Sequence, residues 1–208
     1  MAKEELEEVD LGSGSQKPWP ISISASLTKK EKLELILLLK EFKDIFTWDY
    51  NEMPRLDLRL VAHTLNVDPE AKLVAQPARI FHTKIEGQIV KEVQKLLAAG
   101  FMKPIQHPHY LSKIIPMKKK NGQIRCCVDF RNLNRVCPKD EFPLPNMDLL
   151  IDSATRSTMF SFMDGFSRYN QIRMAPRDAE KTTFKTPIGN FYYTVMSFGL
   201  KNAGATYQ

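Results

Sequence analysis

Hydrophobic residues recur at helical spacing in residues 29–46 of this 208-residue chain. Thr28 and Glu31 stand where the two partners of a capping box are expected at the start of a helix. The apolar positions behind them share one face of that helix, namely Leu33, Ile36, Leu37, Phe42 and Ile45. The pattern predicts an amphipathic helix that serves as a docking or core element.

A second helical pattern is clearer. Thr83 and Glu86 again form a potential capping box, and Gly100 supplies a stop signal. Between them one face is apolar, with Ile85, Ile89, Val93, Leu96 and Leu97 at helical spacing. We therefore predict a helix that ends just before Gly100.

Strand patterns dominate the second half of the chain. Residues 111–117 and 123–130 flank Asn121-Gly122, a dipeptide typical of tight hairpin turns. A second hairpin is expected around residues 187–190, with residues 191–195 as its return strand. Residues 159–163 read as an apolar strand that ends directly before Asp164. These strands and the helices together predict an α+β fold.

The remaining segments give weaker signals. Residues 57–68 alternate enough to suggest a strand, residues 146–153 suggest a short helix, and residues 202–208 suggest the first turns of another helix. Residues 1–27 contain Gly-Ser-Gly-Ser and Lys-Pro-Trp-Pro behind a charged start. We expect that leader to be unstructured.

Composition and charge limit the classes of partner that this chain could bind. Hydrophobic residues make up 43% and charged residues 26% of the chain, an ordinary soluble composition. No apolar run approaches the roughly 20 residues that span a bilayer, so no membrane partner is expected. Residues 1–70 carry 9 Lys+Arg and 14 Asp+Glu, a net charge of −5, whereas residues 71–208 carry 21 and 10, a net charge of +11. This basic body favours a polyanionic partner, although a solvated basic surface explains the charge equally well.

The cysteines and histidines do not indicate a metal site. Cys126, Cys127 and Cys137 are odd in number and lack a Cys-x-x-Cys spacing, so free thiols are expected. The four histidines lack cysteine or carboxylate neighbours at zinc-site spacing. We interpret them as surface loop residues, namely His63, His82, His107 and His109.

Three groups of residues could carry chemistry. Asp164 follows an apolar strand and could ligate Mg²⁺, but because Gly165 follows, position alone favours a turn or helix-capping aspartate. The lysines of residues 118–120 and Arg125 could bind a polyphosphate, or the lysines could form a solubilising turn. Tyr169 and the Phe-Gly-Leu of residues 198–200 could stack on bases or sugars, but each alone suits a core position.

The order and spacing of these groups resemble a known family. Residues 96–134, 142–145, 160–172 and 198–203 are similar to motifs in reverse transcriptases of gypsy-type long-terminal-repeat retrotransposons, especially plant elements. The resemblance covers about residues 70–208 and extends weakly back to residue 29. It implies the fingers and partial palm of a right-hand polymerase, truncated before the thumb.

The resemblance also implies a division of the chain. Residues 1–27 would be a disordered acidic leader, similar to the connector between protease and polymerase, and residues 28–70 an N-terminal helix and connector. The polymerase segments would then be 71–139 (fingers with the basic hairpin), 140–171 (palm with the first catalytic motif), 172–201 (second fingers hairpin) and 202–208 (start of a truncated palm helix).

The family's functional residues can be carried over by position. Asp164 would be the first catalytic aspartate and a ligand of both Mg²⁺ ions (Mn²⁺ being possible), with the carbonyl of Gly165 as a further ligand. The expected nucleotide-binding residues are Lys119, Arg125, Ser167, Arg168, Tyr169 (the steric gate against a ribose 2′-hydroxyl) and Phe198. The expected template-binding residues are Asp129, Phe130, Arg131 and Gly199.

The sequence differs from the family pattern at three places and lacks one catalytic motif, and both facts bear on the activity that the resemblance implies. Arg168 stands where Gly is usual and Ser197 where Pro is usual, while Cys126-Cys127 replaces a more typical pair. The family's second catalytic motif contains Asp-Asp, and no such pair occurs in these 208 residues. We expect a fragment of an RNA-directed DNA polymerase that is inactive alone; the alternative is a non-catalytic nucleic-acid-binding remnant or a degenerate element.

The implied partners are an RNA or DNA template-primer, deoxynucleoside triphosphates and the remainder of a pol polyprotein. An active element would work in cytoplasmic virus-like particles or in the nucleus.

Overall fold

The computed structural model describes residues 5–12, 18–47, 49–72, 74–77, 79–118, 122, 124–143, 145–157, 159–160 and 167–208. The chain divides into two compact units, Met1–Met53 and Pro54–Gln208. Within the described ranges, no helix combines the length and the apolar character that crossing a bilayer requires.

The first unit begins with a hairpin that the sequence did not predict. Strands β1 (Leu6–Asp10) and β2 (Pro20–Ser24) pair antiparallel, so the prediction of an unstructured leader is wrong for these residues. The Asp10 carboxylate accepts hydrogen bonds from the backbone N–H of Gly12 and of Trp19, both at 2.8 Å, and so joins the two strand ends. Leu11, which follows β1, and Ile23 of β2 are buried. Short strands of this kind are stabilised by these few contacts, which composition does not reveal.

Helix α1 (Lys29–Glu41) is shorter than predicted, and a 3₁₀ turn (Lys43–Ile45) follows it. Its capping box is confirmed, because Thr28 Oγ1 accepts from the N–H of Glu31 and the Glu31 carboxylate accepts from the N–H of Thr28. No residue of α1 is buried, and three of its apolar side chains are exposed, namely Leu33, Leu37 and Leu38. The core role predicted for this helix is therefore wrong, and the docking role stays a prediction.

The second unit contains seven strands and five helices in its described parts. In chain order they are β3 (Ala62–His63), α2 (Thr83–Ala98), β4 (Met102–Pro104), β5 (Ser112–Lys118), β6 (Ile124–Val128), α3 (Arg131–Val136), α4 (Met147–Ala154), β7 (Arg173–Met174), α5 (Pro176–Ala179), β8 (Phe184–Thr186), β9 (Gly189–Tyr193) and α6 (Ala203–Tyr207).

Helix α2 has the predicted apolar face, and its Ile89 and Val93 are buried. Its start differs from the prediction, because His82 is the N-terminal cap and its Nδ1 accepts from the N–H of Lys84 at 3.4 Å. Thr83 is therefore the first helical residue, and the predicted Thr83–Glu86 capping box is wrong. Gly100 ends the helix as predicted, at a φ of +68° that few residues other than glycine adopt.

Five strands form the main sheet in the order β4-β9-β8-β5-β6. Both predicted hairpins are confirmed: β5 pairs antiparallel with β6, and β8 pairs antiparallel with β9. Strand β8 also pairs with β5 in parallel, which joins the two hairpins into one sheet. Helix α2 packs against β6 and β4. The core holds fully buried apolar side chains, including Phe101, Ile114, Leu133, Phe184 and Met196.

The predicted strand at residues 57–68 is reduced to the two residues of β3, which pair in parallel with β7. Upstream of it, the Asp57 carboxylate accepts from the N–H of Arg59 at 2.9 Å and turns the chain. His63 is fully buried in β3, so its interpretation as a surface residue is wrong, whereas the other three histidines are exposed as expected.

The short helices α4 and α6 are confirmed, and Asn146 caps α4 by accepting from the N–H of Asp148 at 3.0 Å. Most of the apolar strand predicted at residues 159–163 lies outside the described residues. Met159 and Phe160 are described, and they are exposed and not part of a strand.

Candidate nucleotide and template site

Arg125 lies on β6, the second strand of the basic hairpin formed by β5 and β6. The register of β5 and β6 pairs it with Met117. Its guanidinium carbon lies 5.1 Å from the centre of the Phe198 ring, at the loop that follows β9. A guanidinium stacked on an aromatic face keeps its N–H groups at the edge available for an anion.

Three aromatic rings form the floor of this site. The Tyr169 ring centre lies 4.8 Å from that of Phe198 and 5.5 Å from that of Tyr207, which meets it edge-on. Pairs at these separations stabilise each other beyond their simple burial. The rings come from a 3₁₀ turn (Arg168–Gln171), the loop after β9, and helix α6. Tyr207 joins a cluster in which the sequence had assigned it no role.

Arg168 also lies in this cluster. Its guanidinium carbon is 5.7 Å from the centre of the Tyr169 ring and 4.9 Å from that of Tyr207. The arginine that stands where the family usually has glycine is thus accommodated by stacking, and it adds a positive charge beside the rings.

Ser167 precedes Arg168 in an unusual backbone conformation. Its φ is +43°, in the left-handed region that non-glycine residues seldom occupy. Its carbonyl accepts from the N–H of Asn170 at 2.8 Å and begins the 3₁₀ turn. Such conformations cost about 1–3 kcal/mol and cluster at functional sites.

Gly199, next to Phe198 of the aromatic cluster, lies close to Phe130, which follows strand β6. Its φ is +91°, and a Cβ on it would lie 3.6 Å from Cδ2 of Phe130, which is buried beneath the loop. The Gly199 carbonyl accepts from Nδ2 of Asn134 at 2.7 Å, and Oδ1 of Asn134 accepts from the N–H of Lys201 at 2.9 Å. Asn134 therefore ties the loop to α3. It lies within residues 96–134, which resemble a motif of the family, and this position could have suggested a role for it.

Asp129 is buried, and both of its carboxylate oxygens are engaged. They accept from Nε and Nη2 of Arg131, each at 2.8 Å, and Nζ of Lys113 lies 3.7 Å away. The hydrogen bonds from Arg131 hold the pKa of Asp129 below its usual value, against the opposing effect of burial. The carboxylate thus orients Arg131. Of the four residues predicted to bind template, Arg131 has the most exposed side chain, at 75%.

The other two departures from the family pattern are Ser197 and the pair Cys126-Cys127. Ser197 is buried, and its hydroxyl has no hydrogen-bond partner within the described ranges. Burial raises the pKa of the Cys126 thiol to about 12, with smaller contributions from Glu92 and Cys127. All three cysteines are free, as expected.

Three predicted site residues lie outside the described residues, namely Lys119, Asp164 and Gly165. Among the residues that are described, no three or more His, Cys, Asp or Glu side chains are grouped so that they could hold a metal ion. The predicted metal site therefore rests on the donor chemistry of Asp164 and Gly165, a carboxylate and a carbonyl oxygen, which are ligands that Mg²⁺ accepts.

One buried polar group was missed by sequence reasoning. Nδ1 of His63 lies 2.7 Å from Oγ1 of Thr206, which links β3 to α6 and so to the neighbouring Tyr207. Burial lowers the pKa of His63 to about 4, although the negative charge of Asp178 partly opposes this shift. The alternation of apolar and polar residues in residues 57–68 was the one sequence signal that could have predicted an inward-facing His63.

Comparisons with known proteins identify relatives of this chain. The family model for reverse transcriptase (RNA-dependent DNA polymerase) matches residues 117–208. The retrovirus-related Pol polyprotein from transposon 297 of Drosophila melanogaster is 28% identical over 88% of this chain. An RNA-directed DNA polymerase homolog of Oenothera berteroana is 43% identical over 40% of the chain. The chain spans 17% and 59% of these two relatives' lengths, respectively.

Solved structures show the same fold. The foamy viral protease-reverse transcriptase in complex with an RNA/DNA hybrid matches 92% of this chain and 27% of its own, with a TM-score of 0.66 and 17% identity. The same viral protein in complex with double-stranded DNA matches with a TM-score of 0.65. The predicted α+β architecture of fingers and partial palm is confirmed.

Reverse transcriptases generally use divalent metal ions. The family match and the transposon relatives confirm the resemblance seen in the sequence: residues 117–208 match the reverse transcriptase family model, and the chain is similar to retrovirus-related Pol polyproteins of transposons.

Proposed function

We propose that these residues form the nucleotide-binding and template-facing part of an RNA-directed DNA polymerase that copies retrotransposon RNA. One observation carries the proposal. Arg125, Arg168, Tyr169 and Phe198, expected to bind nucleotide, come from three separate segments and form one continuous cluster. A chance collection of core aromatics would not be expected to stack beneath two exposed guanidinium groups.

In this proposal each residue has a distinct task. Arg125, with Lys119 from the hairpin tip, binds the triphosphate of the incoming deoxynucleotide through charge-assisted hydrogen bonds. The backbone amides of Ser167 and Arg168 contact the same phosphates. Tyr169 lies against the sugar, and its ring is supported from the sides by Phe198 and Tyr207. Arg131, oriented by Asp129, contacts the template.

Asp164 and the carbonyl of Gly165 would hold divalent cations, Mg²⁺ or Mn²⁺, two of them in the complete polymerase. Such ions stabilise the charge that develops during phosphoryl transfer and lower the pKa of the attacking hydroxyl. Two ions require several carboxylate oxygens, and no adjacent pair of aspartates occurs in these 208 residues. Polymerisation would therefore need carboxylates from a further polypeptide segment.

The surroundings of the site are part of the same proposal. The partners would be a template-primer of RNA or DNA, deoxynucleoside triphosphates and the other segments of a pol polyprotein, because the relatives are themselves Pol polyproteins. The place of action would be a cytoplasmic virus-like particle or the nucleus. A second candidate function is a non-catalytic nucleic-acid-binding remnant, favoured by the net charge of +11 on residues 71–208.

A chimera would separate these two functions. Residues 117–208 would replace the matching segment of the gypsy Pol polyprotein, a relative 31% identical over 56% of this chain, and primer extension on RNA would be measured with Mg²⁺. We expect extension by the chimera and a loss of about a thousandfold or more in Asp164→Asn, because an oxygen ligand is removed. The matched control is Asp148→Asn, since Asp148 is exposed on α4.

The 208-residue polypeptide, assayed alone, should not extend a primer. Near-normal turnover by the Asp164→Asn chimera would remove Asp164 from the catalytic residues. A folded chimera that binds template-primer without extending it would support the remnant instead.

A further inference from the structure

His63 lies in the core of the second unit and makes one side-chain hydrogen bond there. Its side chain is fully buried in β3, and its Nδ1 lies 2.7 Å from Oγ1 of Thr206 in α6. Within the described ranges, Nε2 of the same ring has no hydrogen-bond partner. An imidazole with an unsatisfied nitrogen costs more to bury than an apolar side chain of its size. Packing alone therefore does not explain a histidine here, and its bond to Thr206 is what distinguishes it from an apolar residue.

The hydroxyl of Thr206 has a single proton and two hydrogen-bonding neighbours. Besides Nδ1 of His63, the carbonyl oxygen of Asn202 lies 3.2 Å from Oγ1. Both bonds form together only when Nδ1 carries the ring proton and donates it to Oγ1, while the hydroxyl donates to the carbonyl. This arrangement fixes the tautomer of His63 and connects the core strand β3 to the backbone of α6.

Two side-chain contacts fix α6 in the second unit. Asn202 holds its start, since Nδ2 donates to the carbonyl of Pro138 at 2.8 Å and Oδ1 accepts from the N–H of Asp140 at 3.1 Å. The bond from His63 holds the helix at the residue before Tyr207. The position of the Tyr207 ring is thus set in part from β3.

His63 is also tied to the segment that carries Tyr169. Strand β3 pairs in parallel with β7, and the carbonyl of His63 accepts from the N–H of Ala175 at 2.9 Å. One residue, Ile172, separates β7 from the 3₁₀ turn that contains Tyr169. The backbone of His63 therefore holds the segment of Tyr169, and its side chain holds that of Tyr207.

The two tyrosine rings held in this way meet directly. The centres of the Tyr169 and Tyr207 rings are 5.5 Å apart, edge to face, and we call these two rings the ring pair. The guanidinium carbon of Arg168 lies 4.9 Å from the centre of the Tyr207 ring. Tyr207 thus supports from the side the ring that the proposed function places against the sugar. A displacement of about 1 Å in such a group is enough to change how a site acts on its ligand.

We propose that His63 is a positioning residue for sugar selection: through Thr206 it holds Tyr207 against Tyr169, and so keeps the Tyr169 ring where a ribose 2′-hydroxyl would lie. The inference rests on the proposed function, in which Tyr169 contacts the sugar of a bound nucleotide. His63 acts through other residues, because its fully buried side chain cannot reach that nucleotide.

The first measurement follows the ring pair in the 208-residue chain labelled with 3-fluorotyrosine. The chain has six tyrosines, and single Tyr-to-Phe substitutions assign their fluorine resonances. Thr206→Val removes the hydroxyl and keeps the shape of the side chain, whereas Thr206→Ser keeps the hydroxyl. We expect Thr206→Val to move the resonances of both rings and Thr206→Ser to leave them near their original positions. Unmoved resonances in Thr206→Val would overturn the proposal.

Variants of His63 test the other end of the same bond. His63→Leu should move the ring-pair resonances as Thr206→Val does, and combining the two substitutions should add little, because they remove the same bond. His63→Asn can keep a hydrogen bond to Thr206 and should resemble the unaltered chain. Because Thr206 is only half-buried, its variants test the proposal even where His63→Leu does not fold.

Thr182→Val is the matched control for the loss of a threonine hydroxyl. Oγ1 of Thr182 is buried, donates to the carbonyl of Ala179 and accepts from the N–H of Tyr193. This variant should move the Tyr193 resonance and leave those of the ring pair in place. Shifts of the ring pair as large as those in Thr206→Val would indicate a general loosening of the unit and overturn the proposal.

The second measurement is sugar selection. The same proteins are titrated with dUTP and with UTP in the presence of Mg²⁺, and inorganic tripolyphosphate probes the phosphate contacts separately. The unaltered chain should bind dUTP roughly tenfold or more tightly than UTP, and Thr206→Val should lose most of that preference. Its affinity for tripolyphosphate should not change, because Arg125 lies on another element, β6. An equal loss of affinity for all three ligands would indicate general damage and overturn the proposal.

Failure of the proposed function would give a different result from failure of this inference. If the unaltered chain binds neither dUTP nor UTP, the cluster around Tyr169 is not a nucleotide site, and the inference falls with the proposed function. If the unaltered chain prefers dUTP and Thr206→Val prefers it equally, the proposed function stands and His63 has no positioning role.

Discussion

Replacing His63 tests how the second unit tolerates acid. The imidazole is fully buried, its Nδ1 lies 2.7 Å from Oγ1 of Thr206, and burial lowers its pKa to about 4. Asp178 is the charged group that opposes the shift. We propose the substitution His63→Asn, because the asparagine amide can keep a hydrogen bond near the position of Nδ1 but does not titrate.

The sign of the effect follows from the direction of the shift. The pKa of His63 is about 4 in the folded chain and 6.5 in the unfolded chain, so the unfolded chain binds its proton first as pH falls. The stability linked to His63 is complete above pH 6.5 and is lost as pH falls towards 4. The full loss is about 3 kcal/mol, and about 2 kcal/mol of it occurs between about pH 7 and pH 5.

The measurement is urea unfolding of the two proteins at pH 7 and pH 5, a range in which most carboxylates stay ionised. Between pH 7 and pH 5, the free energy of unfolding of the unaltered chain should fall by about 2 kcal/mol more than that of His63→Asn. His109→Asn, at an exposed position, serves as the control and should behave as the unaltered chain does. If His63→Asn loses as much stability as the unaltered chain, burial does not hold His63 neutral and the reasoning fails.

Two further predictions concern the candidate site. In the chimera, Tyr169→Val should raise ribonucleotide incorporation relative to deoxynucleotide incorporation by roughly tenfold or more while leaving deoxynucleotide use largely intact; unchanged discrimination in single-nucleotide assays would mean that another residue is the gate. In the 208-residue chain, Gly199→Ala should lower the free energy of unfolding by about 1–2 kcal/mol, because a φ of +91° is strained for alanine. The control is Gly87→Ala, at a helical position with nothing within 4 Å of a new Cβ, which should stabilise the chain by up to about 1 kcal/mol in the same urea unfolding series.

Local patterns in the sequence were enough to predict the regular elements with strong signals. Both hairpins of the main sheet formed as predicted, because alternation and turn residues specify a strand pair over a short range. Helix α2 formed with its predicted face, and Gly100 ended it. The family motifs also indicated which residues could bind nucleotide, since those motifs are contiguous in the chain.

Other features depended on contacts that the sequence does not display. The hairpin of β1 and β2 is closed by the Asp10 carboxylate, which accepts from the N–H of Gly12 and of Trp19, where composition suggested no structure. The burial of His63 depends on the pairing of β3 with β7, about 110 residues away in the chain.

The candidate site shows the same division. The sequence by itself determined the identity of Arg125, Tyr169 and Phe198 as residues to consider, because each belongs to a recognisable local motif. Their stacking into one cluster was decided by the tertiary structure. The physical reason is that stacking acts over a few ångströms in space, and only the folded chain brings segments about 30 to 75 residues apart within that range.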